Sequence, residues 1–376
     1  MSDVSIATIR QMLQDRVDQL VRKLVPGGYI KNGHYIVANP TRGDREAGSF
    51  KIYMFGSTAG KWVDYAGKNA PFVDGGDRGD IIDLIAYVAC ERDRKRAIAW
   101  AKDFLGLATL SMGERDRLTK LAQSRKLQAA KKETDERERK MRRAFDLFLS
   151  ARIGLAGTVA EAYLFNRGID LLDIPSFNTG DIRFHPGLEL TQERVYELVA
   201  GRRECVRYGP TLPAIVCAIR NHTGAVTGCH VTFLSDDPDG PGDKAKAKIM
   251  HGGVAGGVIR VAHGLGGISP DDVREQRHLA ELPTTIICEG LEDGLTLAMA
   301  APEARVWAAT SLGNLGNVYV DHPCVGDVIV ARDNDWQSPQ AVRQFEHGIS
   351  LLESHGKPIG QMAAIAGKDF NDLWRF

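Results

Sequence analysis

The sequence predicts an α/β protein, with an α+β region at the N-terminus, a mixed α/β segment in the middle and a parallel sheet in the last third. Three observations carry this. Residues 284–288 and 327–331 are short apolar runs rich in β-branched residues, which suits strands buried on both faces of a parallel sheet. Each run leads through a turn into a helical pattern, the first marked by Leu291, Leu295, Ala298 and Met299, the second beginning near Ser338-Pro339. Each also ends in carboxylates, Glu289 after the first and Asp333 and Asp335 after the second. That is the edge at which open α/β sheets bind ligands.

Taken in order, residues 4–24 carry Ile6, Ile9, Leu13, Val17, Leu20, Val21 and Leu24 on one stripe, predicting a helix that Pro26-Gly27-Gly28 ends. Short strands are predicted at 29–30, 34–37, 49–54 and 61–65, separated by Gly, Asn and Pro turns. Helices follow, one opened by Gly79-Asp80 and one over 93–104. Residues 111–145 are dominated by charged residues, Gln and Ala, and read as a long solvated helix. Residues 212–219 and 225–233 predict a hairpin around Asn221-His222-Thr223-Gly224. After it, Lys244, Lys246 and Lys248 precede Gly252-Gly253, Gly256-Gly257 and Arg260. This stretch reads as a flexible loop suited to approach phosphates, with Lys248 a surface residue of little packing role. A last strand is predicted at 358–364, ahead of Gly367-Lys368-Asp369, with Asp372 as a helix cap. The implied division is 1–108 as a small α+β domain, 109–150 as a charged helical linker, 151–280 as a core subdomain and 281–376 as the parallel-sheet domain.

At 376 residues the chain is long enough for two or three domains, and 43% hydrophobic with 26% charged residues is ordinary globular usage. No apolar stretch is long enough to cross a bilayer, and Met1-Ser2-Asp3-Val4 lacks the features of a signal peptide, so a cytoplasmic location and no membrane partner are expected. Net charge is zero, so any contact with a polyanion has to come from local basic tracks. The six cysteines show no C-x-x-C spacing, so no zinc ribbon is encoded and no zinc is expected. Cys217 and Cys288 fall in apolar runs as reduced, buried thiols. No G-x-x-x-x-G-K-[ST] sequence occurs, so no helicase module is expected.

Alternate residues of an extended chain point the same way, so Asp333 and Asp335 can face one cation together. Oxygen donors without neighbouring Cys or His favour Mg²⁺ or Mn²⁺ over zinc. The ordered set Glu289-Gly290 with Asp293, then Asp333 and Asp335, then Gly367-Lys368-Asp369, resembles the Toprim domain of bacterial-type primases, topoisomerases and some nucleases. Ser311-Leu312-Gly313-Asn314 is similar to the small-residue turn between the acidic motifs of Toprim primases. Tyr163-Leu164 with Arg167-Gly168-Ile169 resembles the segment that starts the primase catalytic core, and the hairpin resembles the one that precedes the Toprim domain.

The N-terminal layout, with Asn39-Pro40, Gly48-Ser49-Phe50, a tryptophan strand and Gly79-Asp80-Ile81-Ile82-Asp83-Leu84, resembles the zinc-binding domain of bacterial and phage primases. Ala38, Asn39 and Phe55 stand where that family carries ligands, which implies a degenerate, zinc-less version. Arg42, Arg45, Lys51, Lys61 and Trp62 would be its contacts to DNA. The resemblance implies a primase of phages, plasmids or other mobile elements that makes RNA primers from ribonucleoside triphosphates on single-stranded DNA, alongside a separate replicative helicase. Glu289, Asp333 and Asp335 would be catalytic and metal-binding, with Asp293 and Asp369 completing the metal site. Lys244, Lys246, Lys248, Arg260, Arg167 and Lys368 would bind nucleotide or nucleic acid. A Toprim nuclease and a non-catalytic DNA-binding partner of the helicase are the alternatives, the latter because Val231 and Thr232 stand where the primase hairpin often ends in arginine. The tyrosines lie in no recognisable setting for a topoisomerase.

Overall fold

The computed structural model describes residues 4–41, 44, 46–65, 78–107, 112–199, 202–235, 237, 240, 242, 244–272, 282–334 and 338–374. Two compact units divide the chain, at 1–135 and 136–376.

In the first unit, α1 (Ile6–Asp15) and α2 (Val17–Leu24) replace the single expected helix. The chain breaks at Arg16, where φ is −118° and ψ is 26°. The apolar stripe runs on through the break, so periodicity alone does not mark it. Strands β1 (Tyr29–Lys31), β2 (His34–Val37), β3 (Phe50–Tyr53), β4 (Trp62–Asp64) and β5 (Arg78–Gly79) form an antiparallel sheet in chain order. Helix α3 (Ile81–Ala89) starts at a capping box, in which Asp80 accepts from the Ile82 and Asp83 amides and Asp83 accepts from the Asp80 amide. Helix α4 (Arg94–Phe104) completes the helical layer.

Trp62 is only 2% exposed and its ring stacks on Tyr87 at 4.6 Å, so the structure assigns it to the core and not to base stacking. Asn39 is fully buried and donates to Asp64 Oδ2 at 2.7 Å and to the Tyr87 hydroxyl at 2.8 Å. Asn39 is thus part of a buried polar network with Asp64 and Tyr87. Arg42 and Arg45 lie outside the described residues.

Helix α5 (Met112–Ser150) is the long charged helix, and the boundary between the units falls within it. Its early part carries an ion pair from Arg125 to Asp15 at 2.8 Å, and its last turns bury Ala144 and Phe148 in a core of the second unit. The expected linker is therefore packed at its C-terminal end.

The second unit continues with β6 (Arg152–Ile153), α6 (Val159–Asn166), β7 (Ile182–Glu189), the separate hairpin β8 (Val195–Val199) and β9 (Arg202–Arg207), β10 (Thr211–Arg220), β11 (Val226–Phe233) and β12 (Ala247–Gly252). An antiparallel sheet runs β12-β11-β10-β7-β6, and β10 with β11 is the predicted hairpin. Then come β13 (Ile259–Ala262), β14 (Thr285–Cys288), α7 (Leu291–Ala300), β15 (Arg305–Ala308), β16 (Val328–Arg332), α8 (Pro339–Glu353) and β17 (Ile359–Ala363). They form the C-terminal sheet in the order β13-β15-β14-β16-β17, with four parallel strands and β13 antiparallel at one edge. That edge strand comes from upstream of residue 281, so the middle segment helps to build this sheet.

The lysine and glycine stretch differs from expectation. Lys248 lies on β12, opposite Thr232 of β11, and not in a loop. Gly256 takes a positive φ of 73°, and Gly257 serves packing: a Cβ there would lie 2.6 Å from Ile219 Cγ2. Asn314 binds this turn, accepting from the Gly256 amide at 2.8 Å and donating to the Gly257 carbonyl at 2.8 Å. Among the described residues no helix is long and apolar enough to cross a membrane.

Candidate active site

The parallel strands deliver their acidic residues to one edge. Glu289 follows β14 directly, Asp333 follows β16, and the two line one cavity with Leu312, Leu315, Ala331, Arg332, Ala341, Val342 and Phe345. Asp335 lies outside the described residues. Asn334, between the two aspartates, anchors this turn to the loop after β17. Its side chain donates to the Ala364 carbonyl at 3.0 Å and the Gly367 carbonyl at 2.9 Å, and its amide donates to the Lys368 carbonyl at 2.8 Å.

Gly290 has φ of −98°, which any residue adopts, so a sharp turn is not why glycine stands there. The reason is proximity: a Cβ at this position would lie 3.0 Å from Asp293 Oδ2. Asp293, on the first turn of α7, accepts from the Asn371 amide at 3.1 Å. Asn371 is fully buried and also donates to the Arg167 carbonyl at 3.0 Å and to Thr296 Oγ1 at 3.1 Å. It thereby joins α6, α7 and the last turn of the chain. Asp369 accepts from the Asp372 amide at 2.9 Å, while Asp372 accepts from the Lys368 amide at 2.9 Å. The capping residue of that turn is thus Asp369 and not Asp372.

Negative charge gathers at this edge and shifts the groups around it. Burial, and then the nearby Asp369 charge, push the Asp293 carboxyl up to about 6. Burial raises the Cys288 thiol well above its ordinary range, and the charges of Asp293, Asp333 and Glu289 add to that shift. Oxygen donors of this kind fit a hard divalent cation. Among the described residues no three of His, Cys, Asp and Glu are grouped to hold a metal by themselves.

The raised Asp293 value carries a stability consequence. Because its folded value of about 6 lies above the ordinary 3.8, the folded chain retains a proton that the unfolded chain releases, and stability falls as pH rises through that window. In metal-free protein Asp293→Asn should therefore raise stability at pH 7 by about 2–3 kcal/mol and give little gain near pH 4. Denaturant unfolding at the two pH values checks this, and an equal effect at both would contradict it.

The basic residues divide. Lys248 Nζ lies 2.7 Å from both carboxylate oxygens of Glu292, a residue whose role the sequence did not reveal. Glu292 is 3% exposed and also accepts from the Tyr163 hydroxyl at 2.9 Å. Burial alone would raise its carboxyl; the charge and hydrogen bond of Lys248, with Arg167 adding, hold it below the ordinary value. Arg167 lies against the Tyr163 ring, 5.9 Å from its centre. Arg260 is placed elsewhere. It is 1% exposed on β13 and donates to Asp271 at 2.8 Å and to the Tyr319 hydroxyl at 3.4 Å, so it does not face a polyanion. Lys244, Lys246 and Lys368 are exposed.

Residues 284–376 match the family model of the Toprim domain, and residues 138–261 match a domain of unknown function, DUF7146. The C-terminal segment is a Toprim domain, as its acidic motifs predict. No curated protein matches the chain. Among solved structures, the chain is similar to the Aquifex aeolicus primase with its zinc binding and RNA polymerase domains, at 14% identity over 99% of this chain and 82% of that one, TM-score 0.35. A DnaG primase catalytic domain bound to single-stranded DNA matches at 16% identity over 64% of this chain and 78% of that one, TM-score 0.41. A DNA primase domain from Pseudomonas aeruginosa matches at 16% identity over 62% and 74%, TM-score 0.39.

Proposed function

We propose that the chain is a primase-type nucleotidyltransferase that joins ribonucleotides on a single-stranded DNA template. The observation that carries this reading is the convergence of Glu289 and Asp333 on one cavity of a Toprim domain, with Lys248 paired to Glu292 on the first turn of the helix that follows Glu289. Acidic ligands and fixed cations together are what transfer of a nucleotidyl group between phosphate oxygens requires.

Glu289, Asp333 and Asp335 would hold Mg²⁺ or Mn²⁺, and Asp293 and Asp369 would shape the water shell and charge around it. Once bound, the ion would supply activation of a 3′-hydroxyl and neutralisation of the departing pyrophosphate. The chain's own residues do the rest. Lys248 presents a charge toward nucleotide phosphates, Asn334 fixes the turn that bears Asp333, and Asn371 fixes Asp293. Lys244, Lys246 and Lys368 are available to track the template backbone. A separate replicative helicase would deliver that template, and the N-terminal unit would contribute DNA contacts through Lys51 and Lys61.

The deciding experiment incubates purified protein with single-stranded DNA, labelled ribonucleoside triphosphates and Mg²⁺ or Mn²⁺. Short labelled products are expected only with template and metal. Cleaved DNA without incorporation would favour the nuclease reading, in which the same acidic residues serve to activate water.

A further inference from the structure

Glu292 occupies one of the two unspecified positions of E-G-x-x-D, yet its contacts are more specific than packing requires. Its carboxylate is nearly inaccessible and is met by Lys248 from β12 and Tyr163 from α6, side chains 44 and 129 residues away in sequence. The Lys248 side chain remains 44% exposed while the carboxylate it meets is only 4% exposed, so the pair joins a solvent-accessible cation to a buried anion. An ammonium carries three N–H donors and the two carboxylate oxygens engage two of them, so one donor is left for another acceptor. Glu292 adjoins Asp293 on the first turn of α7, the helix that follows Glu289-Gly290, so the pair is tied to the acidic motif by the chain itself. A buried carboxylate is a poor way to stabilise a helix that packs through Leu291 and Leu295, because an apolar side chain would serve as well or better.

We infer that Glu292 is a positioning residue for nucleotide binding, one that fixes the Lys248 ammonium so that its free donor faces the phosphates of a nucleoside triphosphate. The inference rests on the nucleotidyl-transfer reading above. Left to itself, a lysine on an exposed strand would sample many rotamers and meet a phosphate only part of the time.

The test compares wild type, Glu292→Gln, Lys248→Met and the double variant. Three quantities are read for each: KM and kcat for ribonucleoside triphosphate in primer synthesis, equilibrium binding of a non-hydrolysable nucleoside triphosphate, and melting temperature. Glu292→Gln should weaken triphosphate binding and raise KM by about tenfold with kcat changed less than KM, as expected when a charge-assisted contact is misplaced. In the Lys248→Met background the same change should have no further effect on binding, because Glu292 acts through that lysine. The double variant has no stranded buried charge, so it stays interpretable even where Lys248→Met alone folds poorly. A lowered melting temperature with wild-type binding and KM, or binding losses that add in the double variant, would overturn the inference. Triphosphate binding that follows the predicted pattern without primer synthesis would uphold Glu292 and sink the primase reading, whereas no binding by the wild type would overturn both.

Discussion

Asp333→Asn should reduce primer synthesis by about 10²–10³-fold or more while leaving the fold intact. Asp333 lies past the last hydrogen-bonded pair of β16 and shares a cavity with Glu289, so its carboxylate contributes charge and not core packing. Asparagine preserves the shape and one oxygen but removes the charge that a hard cation needs. The turn itself is held by Asn334, whose bonds to the Ala364 and Gly367 carbonyls survive the substitution. Stability should consequently stay within about 0.5 kcal/mol of wild type. Product yield and denaturant unfolding on the same preparation check both halves. Wild-type yield would remove Asp333 from the chemistry, and loss of the folded state would show that it acts structurally.

Lys248→Ala should destabilise the protein by about 3 kcal/mol, a result opposite to what a surface lysine in a loop would give. The lysine is itself half-exposed, but its partner Glu292 is not: the two side chains are 44% and 4% exposed. Removing the ammonium strands a buried carboxylate that keeps the Tyr163 hydroxyl, its own backbone amide and the Arg167 charge but loses its paired cation. The figure is the low end of the range for breaking a buried pair, because the solvated side of the lysine contributes little. Adding Glu292→Gln should recover most of the loss, since a neutral amide can keep the Tyr163 contact. Denaturant unfolding of the single and double variants measures both steps, and a Lys248→Ala change below about 0.5 kcal/mol would show that the ion pair does not hold the fold.

These two sites show what the sequence made legible. Strands β14 and β16 announce themselves by apolar β-branched runs, and the acidic residues that end them follow from the direction of a parallel sheet. Glu289 and Asp333 could thus be named in advance from the strands, Asp293 and Asp369 only through the resemblance to the Toprim motifs, and the Toprim segment is matched over 284–376. What periodicity cannot show is which distant side chain meets which. Glu292 reads as an ordinary charged residue in a first helical turn, and only folding brings it to Lys248 and Tyr163. Arg260 follows a lysine and glycine tract and so looks like a phosphate ligand, but its strand completes the C-terminal sheet and buries the guanidinium beside Asp271 and Tyr319. Trp62 misleads for the same reason: an aromatic residue in a basic region suggests stacking on bases, whereas the alternation of β4 turns it inward onto Tyr87. Gly290 reads as part of an acidic motif and Gly257 as part of a flexible loop. The close approach of Ile219 to Gly257 was not legible, because it depends on a residue far away in the chain.

The central claim is that Glu289 and Asp333 belong to one hard-cation site, and its most direct measurement is Mn²⁺ binding at pH 7 to wild type, Glu289→Gln and Asp333→Asn, each shown to be folded. Wild-type protein should bind Mn²⁺, and each substitution should weaken that binding by at least about tenfold. Mn²⁺ affinity that is the same in all three proteins, or no binding by the wild type, would contradict the assignment.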